Sequence, residues 1–161
     1  MEVTVRYTDE VGAPFDEAFF SHIAKETLLC CPLPSLKKRA SIALNVVAVS
    51  QQKIQELNKT YRQKDSITDI LSFGEYLDTQ AFEQNTEERV FLGEIFFCHD
   101  VIADAAREDD VTGDHEMIYV FSHGVLHLLG YDHSDEMFAI QDAVTATIMA
   151  KQSKNIDKKT S

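Results

Sequence analysis

An α+β fold, one small mixed sheet of about four strands packed with helices, is what this sequence predicts. Three observations carry that expectation. Short β-branched or alternating runs and longer apolar stripes of helical period occur in one chain. The two kinds of segment do not alternate strictly, as the repeating units of a doubly wound sheet would. At 161 residues, 44% of them apolar, the chain is long enough to close a single domain, 1–161, around a sizeable core. The helix bearing His123 and His127 is expected at its centre.

Taken in order, Val3 to Tyr7 alternates apolar and polar residues, the signature of a half-buried strand. Phe15 to Leu29 places apolar residues at 15, 18, 19, 20, 23, 24 and 28, a helical stripe that Pro32 and Pro34 close. Ile42 to Val49 is β-branched enough for a second strand. Ser50 can cap a short helix through Asn58, with Ile54 and Leu57 turned inward. Thr68 to Phe73 and Phe91 to Cys98 read as the third and fourth strands. Between them, Gly74 to Arg89 is polar and acidic and is expected to be an exposed loop. Asp100 to Asp109 predicts a helix, and Thr112-Gly113-Asp114 starts the next one, which carries the two histidines. Ser134 caps a last helix with Asp135 and Glu136 in its first turn, where the macrodipole favours acids. The tail from Lys151 to Ser161 is polar and is expected to fray.

Several classes are excluded at this level. No run of 18 apolar residues occurs, and Met1-Glu2-Val3-Thr4-Val5 has neither the basic start nor the apolar core of a secretion signal, so a cytoplasmic protein without a membrane partner is expected. Cys30, Cys31 and Cys98 are an odd set in segments that read as helix and strand, which favours reduced core thiols. The net charge of −12 argues against a nucleic-acid partner, but its distribution does not. From Lys37 to Lys64 seven basic residues stand against one acid, whereas from Asp65 to Asp142 nineteen acids stand against two bases. Such asymmetry lets one face meet a polyanion while the rest stays repelled, or it marks two ordinary solvated faces.

The chemistry concentrates in Ser122 to His133. His123 and His127 are four apart, so on a helix their imidazoles lie on one face within reach of one ion. Gly130 suits the left-handed backbone that ends a helix, turning the chain so that His133 joins them. Three neutral nitrogen donors with an open position are the arrangement of a catalytic zinc, one Zn2+ per chain. The spacing also matches the long helix motif of zinc peptidases, but the residue after the first histidine there is a glutamate base, and here it is Gly124. A zinc metallopeptidase is therefore the runner-up. A non-catalytic ribosome assembly factor with a structural zinc is the other alternative.

His123-Gly-Val-Leu-His127-Leu-Leu-Gly-Tyr-Asp-His133, together with Leu57-Asn58-Lys-Thr-Tyr61-Arg62-Gln-Lys64-Asp65 and Thr68-Asp69-Ile-Leu71-Ser72-Phe73, resembles the YbeY family of metal-dependent endoribonucleases. Gly93-Glu94-Ile95 is similar to that family's glycine-acid-aliphatic strand. The resemblance implies a sheet backed by helices, a zinc held by His123, His127 and His133, a functional arginine at Arg62, and a role in maturation and quality control of small-subunit ribosomal RNA. The chain departs from the family's usual proline at Ile67 and Gly74, and from its more frequent aspartate at Glu94.

Independently of that likeness, phosphodiester hydrolysis needs a nucleophile, a means of spreading charge on the non-bridging oxygens, and a proton for the leaving oxygen. Zinc suits the first without a carboxylate base. Arg62 suits the second, because a guanidinium offers forked donors matched to phosphate. The third has no clear owner in the sequence. Asp132 either orients an imidazole or serves the turn beside His133. Asp69 either anchors the loop beneath Arg62 or caps a strand end, the structural role being favoured. Lys59 and Lys64 are candidate phosphate contacts, whereas His22, His99 and His115 read as ordinary histidines. Ribosomal RNA is the substrate the resemblance implies, and single-stranded stretches of it are expected because a shallow cleft reaches a flexible backbone more readily than a duplex.

Overall fold

The computed structural model describes residues 1–160, and the side chains of residues 1–155. The elements run β1 (Glu2–Asp9), α1 (Glu17–Cys30), a 3-10 turn (Pro34–Lys38), β2 (Ser41–Ala48), α2 (Gln51–Arg62), β3 (Ile70–Gly74), α3 (Thr79–Gln84), β4 (Arg89–Phe97), α4 (His99–Glu108), α5 (Gly113–Leu128) and α6 (Asp135–Thr160). The four strands form one sheet in the order β1-β2-β4-β3. β1, β2 and β4 are parallel, and β3 runs antiparallel to β4 at the far edge. The mixed α+β architecture expected from the sequence is the one observed.

The sheet works because its strands sort their side chains by face. Along β2, Ile42, Leu44, Val46 and Ala48 are buried while the intervening residues are only partly covered. β4 could not do the same with a regular pleat. Its pairing with β2 skips one residue at Leu92, and this bulge moves the alternation by one place. Val90 and Leu92 point inward before it and Ile95 and Phe97 after it, which leaves Glu94 outside. Without the extra residue, Glu94 would have been turned into the core.

Helix α5 lies against α1, α4, α6, β3 and β4, the central position expected for it. Met117, Ile118, Phe121, Val125, Leu126 and Leu128 are buried there with Phe20, Ile95 and Phe97 in the principal core. The opposite face of the sheet is covered at one end by α2, where Ile54 and Leu57 meet Val49, Leu71, Phe73 and Phe96 in a second cluster. Both outer strands have a main-chain group engaged by a side chain. Glu17 accepts from the Tyr7 N–H of β1 at 3.1 Å, and Arg62 donates to the Ser72 carbonyl of β3 at 2.6 Å.

Three segments differ from expectation. Residues 74–89 are not merely an exposed loop, because Asp78 caps the short helix α3, which drives Phe82 to zero exposure against Tyr76 and Arg39. Burying one such ring contributes on the order of 2–3 kcal/mol, enough to order a polar segment. α2 continues past Asn58 to Arg62, stopping where Gln63 takes a left-handed backbone with φ 57°. The segment from Lys151, expected to fray, continues α6 to Thr160, and Lys151 pairs with Glu26 of α1 at 2.8 Å. Ser161 lies outside the described residues. The cysteines are all free thiols, and burial pushes Cys31 up to about 12.

Candidate metal centre

The histidines come together because of how α5 begins and ends. Thr112 caps its start by accepting from the His115 N–H. At its end the Tyr131 N–H bonds the Leu126 carbonyl and the Gly130 N–H bonds the His127 carbonyl, each at 3.0 Å. This is the Schellman arrangement, with Gly130 at φ 98° in the left-handed region. A side chain there meets a second obstacle, since a Cβ on Gly130 would sit 2.2 Å from the Asp78 carbonyl carbon. Gly130→Ala is therefore expected to lose about 3 kcal/mol or more of stability, read from denaturant unfolding, with His133 displaced from its partners.

The turn brings His133 back over the helix. The His123 and His127 Nε2 atoms are 2.8 Å apart, and those of His123 and His133 are 3.1 Å apart. One nitrogen from each ring falls within 4.8 Å of the others, so the set can hold a single metal ion. Two nitrogens bound at 2.0–2.1 Å in a tetrahedron stand about 3.3 Å apart, close to these separations.

The far sides of the rings explain why Nε2 is the free atom. The Nδ1 of His127 faces the Tyr131 carbonyl at 3.0 Å, and that of His123 faces the Gln141 Oε1 at 3.2 Å. Carbonyl oxygens only accept, so each Nδ1 carries the proton and each Nε2 presents a lone pair. Lone pairs facing one another repel, and a cation between them removes the repulsion. Burial lowers the pKa of both His123 and His127 and outweighs the hydrogen bonds to Gln141 and Tyr131 that raise it, which favours the neutral, ligating form.

Gln141 is only 1% exposed, and its Nε2 donates to the Tyr119 carbonyl at 2.9 Å, so its amide is held from both ends. Sequence reasoning did not find it. It lies on α6, eighteen residues beyond His123, with no periodic relation to the histidine motif. Asp132 had been weighed for such a role, but its Oδ1 accepts from the His133 N–H at 2.9 Å, a contact within the turn. Gln141→Leu is expected to weaken metal binding about 10- to 100-fold while the fold survives, as checked by competition with a chromogenic chelator.

The histidines line an open groove of about 1090 Å³ that Arg62 and Lys64 also line. The Arg62 guanidinium lies 4.8 Å above the Phe73 ring while it donates to Ser72. The Ser72 hydroxyl in turn donates to the Gly124 carbonyl at 3.3 Å, so the end of α2, strand β3 and helix α5 are tied beside the metal set. Asp69 does not touch Arg62. Its Oδ1 accepts from the Ile70 N–H at 2.7 Å, and its carbonyl accepts from Cys98, which opens β3 against β4.

The basic stretch from Lys37 to Lys64 is divided by the fold. Arg39 is buried at 4% exposure, donating to Asn85 and to the Phe82 and Glu87 carbonyls. Lys59 is an exposed partner of Asp65 at 3.9 Å, outside the groove lining. Only Arg62 and Lys64 of that stretch face the groove as cations, and Asp69, Glu116 and Asp132 line it as carboxylates.

A mixed sheet, a buried helix ending in a left-handed turn and three imidazoles converging in an open groove define an α+β protein with a candidate metal centre. The comparisons agree with that class. The family model described as Endoribonuclease YbeY matches residues 8–160. A protein of Staphylococcus aureus named Endoribonuclease YbeY is 39% identical over 154 residues, covering 88% of this chain and 93% of its own. Its namesake in Ureaplasma parvum is 37% identical over 144 residues, covering 85% and 86%. The solution structure of TM1509 from Thermotoga maritima superposes with a TM-score of 0.61 at 27% identity, covering 94% of this chain and 93% of that one. The chain belongs to the YbeY family.

Proposed function

We propose that the chain is a zinc-dependent endoribonuclease, a hydrolase working as one domain in the cytoplasm on single-stranded stretches of small-subunit ribosomal RNA or its precursors. The observation that carries this reading is the convergence of three imidazole nitrogens in a groove that a guanidinium also lines, in a chain whose relatives are named endoribonucleases. His123, His127 and His133 would hold the zinc, which would supply Lewis acidity and the means to ionise water near neutral pH.

The remaining work falls to side chains of the groove. Arg62 offers N–H groups to the non-bridging oxygens of the scissile phosphate, and its contacts with Ser72 and Phe73 fix the direction in which it reaches. Lys64 holds a flanking phosphate as a point charge. Gln141 and the Tyr131 carbonyl keep the imidazole protons on Nδ1. The groove's own charges are two cations against three carboxylates, so a polyanion enters it favourably only when a divalent ion is present.

The peptidase alternative lacks support. A glutamate in place of Gly124 would be crowded from its first side-chain atom, because a Cβ there stands 3.1 Å from Ser72 Oγ and 3.2 Å from the Ile70 and Ile95 side chains. The test is incubation of zinc-loaded protein with ribosomal RNA, with and without chelator. Chelator-sensitive cleavage is the expected result. Cleavage untouched by chelator rejects the metal reading, and binding without turnover favours the assembly-factor alternative.

A further inference from the structure

We propose that Phe138 is the platform on which an unpaired nucleobase stacks beside the scissile phosphate, and that this ring makes the groove select single-stranded substrate. The proposal rests on the endoribonuclease reading above and adds a specificity determinant to it.

Phe138 stands in the first turns of α6, where its N–H bonds the Ser134 carbonyl at 3.1 Å, so the ring is mounted on a rigid element. It lines the groove that the three histidines line, yet 40% of it is exposed. Phe91, at 55%, is more exposed but lies outside the groove. Phe15, Phe19, Phe20, Phe82, Phe97 and Phe121 are all built into the principal core, whereas Phe138 belongs to neither hydrophobic cluster. An aromatic ring left open at a polar groove contributes little to folding and much to a flat ligand. Its plane is within 2° of the His133 plane, with centroids 6.1 Å apart, so the ring stands parallel to one of the proposed metal ligands. A nucleobase attached next to a phosphate held between Arg62 and the histidines has this ring to lie on. Base-on-aromatic stacking tolerates any sequence but requires the base to be unpaired and splayed, which a regular duplex forbids.

The test uses zinc-loaded full-length protein and a short unpaired RNA cut at one mapped position, prepared also with an abasic residue next to that position. Phe138→Ala is expected to raise KM about tenfold on the intact RNA with kcat changed less than about threefold. Phe138→Trp is expected to restore the parent KM. On the abasic RNA, parent and Phe138→Ala are expected to have equal KM, because the partner of the ring has gone. Parent-like KM for Phe138→Ala on intact RNA overturns the platform, as does an equal penalty on both RNAs. Loss of bound zinc in Phe138→Ala also overturns it, by assigning the ring to support of His133. A parent protein that cleaves no RNA defeats the endoribonuclease reading and the platform together, whereas a cleaving parent beside an unaffected Phe138→Ala defeats the platform alone.

Discussion

His127→Ala is expected to abolish zinc retention and to reduce RNA cleavage by at least about 10³-fold, with the far-ultraviolet dichroism of the parent preserved. His127 is one of the two helical members of the set, and its Nε2 is 2.8 Å from that of His123. Removing it leaves one imidazole on the helix and one beyond the turn, two ligands where tight binding needs at least three. The loss of Lewis acidity is worth several kcal/mol of transition-state stabilisation, hence the magnitude. A second readout separates this loss from unfolding. Zinc added to the parent raises its melting temperature, because an ion that binds only the folded state stabilises it by mass action, and the variant's melting temperature is expected not to respond. A variant that keeps a stoichiometric zinc and the parent rate refutes the assignment of His127.

Arg62→Ala is expected to leave zinc content and fold intact and to lower kcat by about 10²- to 10³-fold. The guanidinium makes no contact with a histidine, so the metal set is not disturbed by its removal. On the proposed mechanism, what disappears is a donor to charge that grows as the phosphodiester is attacked, an interaction of about 3–4 kcal/mol when the group is held in place. Arg62→Lys is expected to recover little, because an ammonium can neither lie flat on Phe73 nor offer two parallel donors. Single-turnover cleavage of a defined RNA by metal-loaded protein is the measurement. Parent-like turnover by Arg62→Ala excludes the role.

Much of the metal set was legible because its geometry is local. A four-residue spacing fixes two side chains on one helical face, and the glycine three residues later fixes the turn, so His123, His127 and His133 follow from the chain without tertiary information. Gln141 was not legible, because what makes it relevant is the packing of α6 on α5. Arg39 misled for the same reason. In the sequence it is one cation among seven, and only the docking of Phe82 beneath it shows that it ties the 3-10 turn to the segment after β3. Phe82 itself was hidden in an acidic stretch where Tyr76, Leu77, Ala81 and Phe82 follow neither a helical nor an alternating period. The strands were legible from their β-branched and alternating residues, but the order β1-β2-β4-β3 was not, since which strand lies in the middle depends on connections that cross the sheet.

The two side chains that occupy main-chain groups on the sheet's rims have a consequence for crowded solution. An outermost strand is a template onto which a neighbouring molecule can add its own, the first step toward fibrous self-assembly. Glu17 at Tyr7 and Arg62 at Ser72 each fill a position such an intruder needs, one per rim. The arginine turned toward the nucleic-acid groove thus also guards its molecule against its own copies.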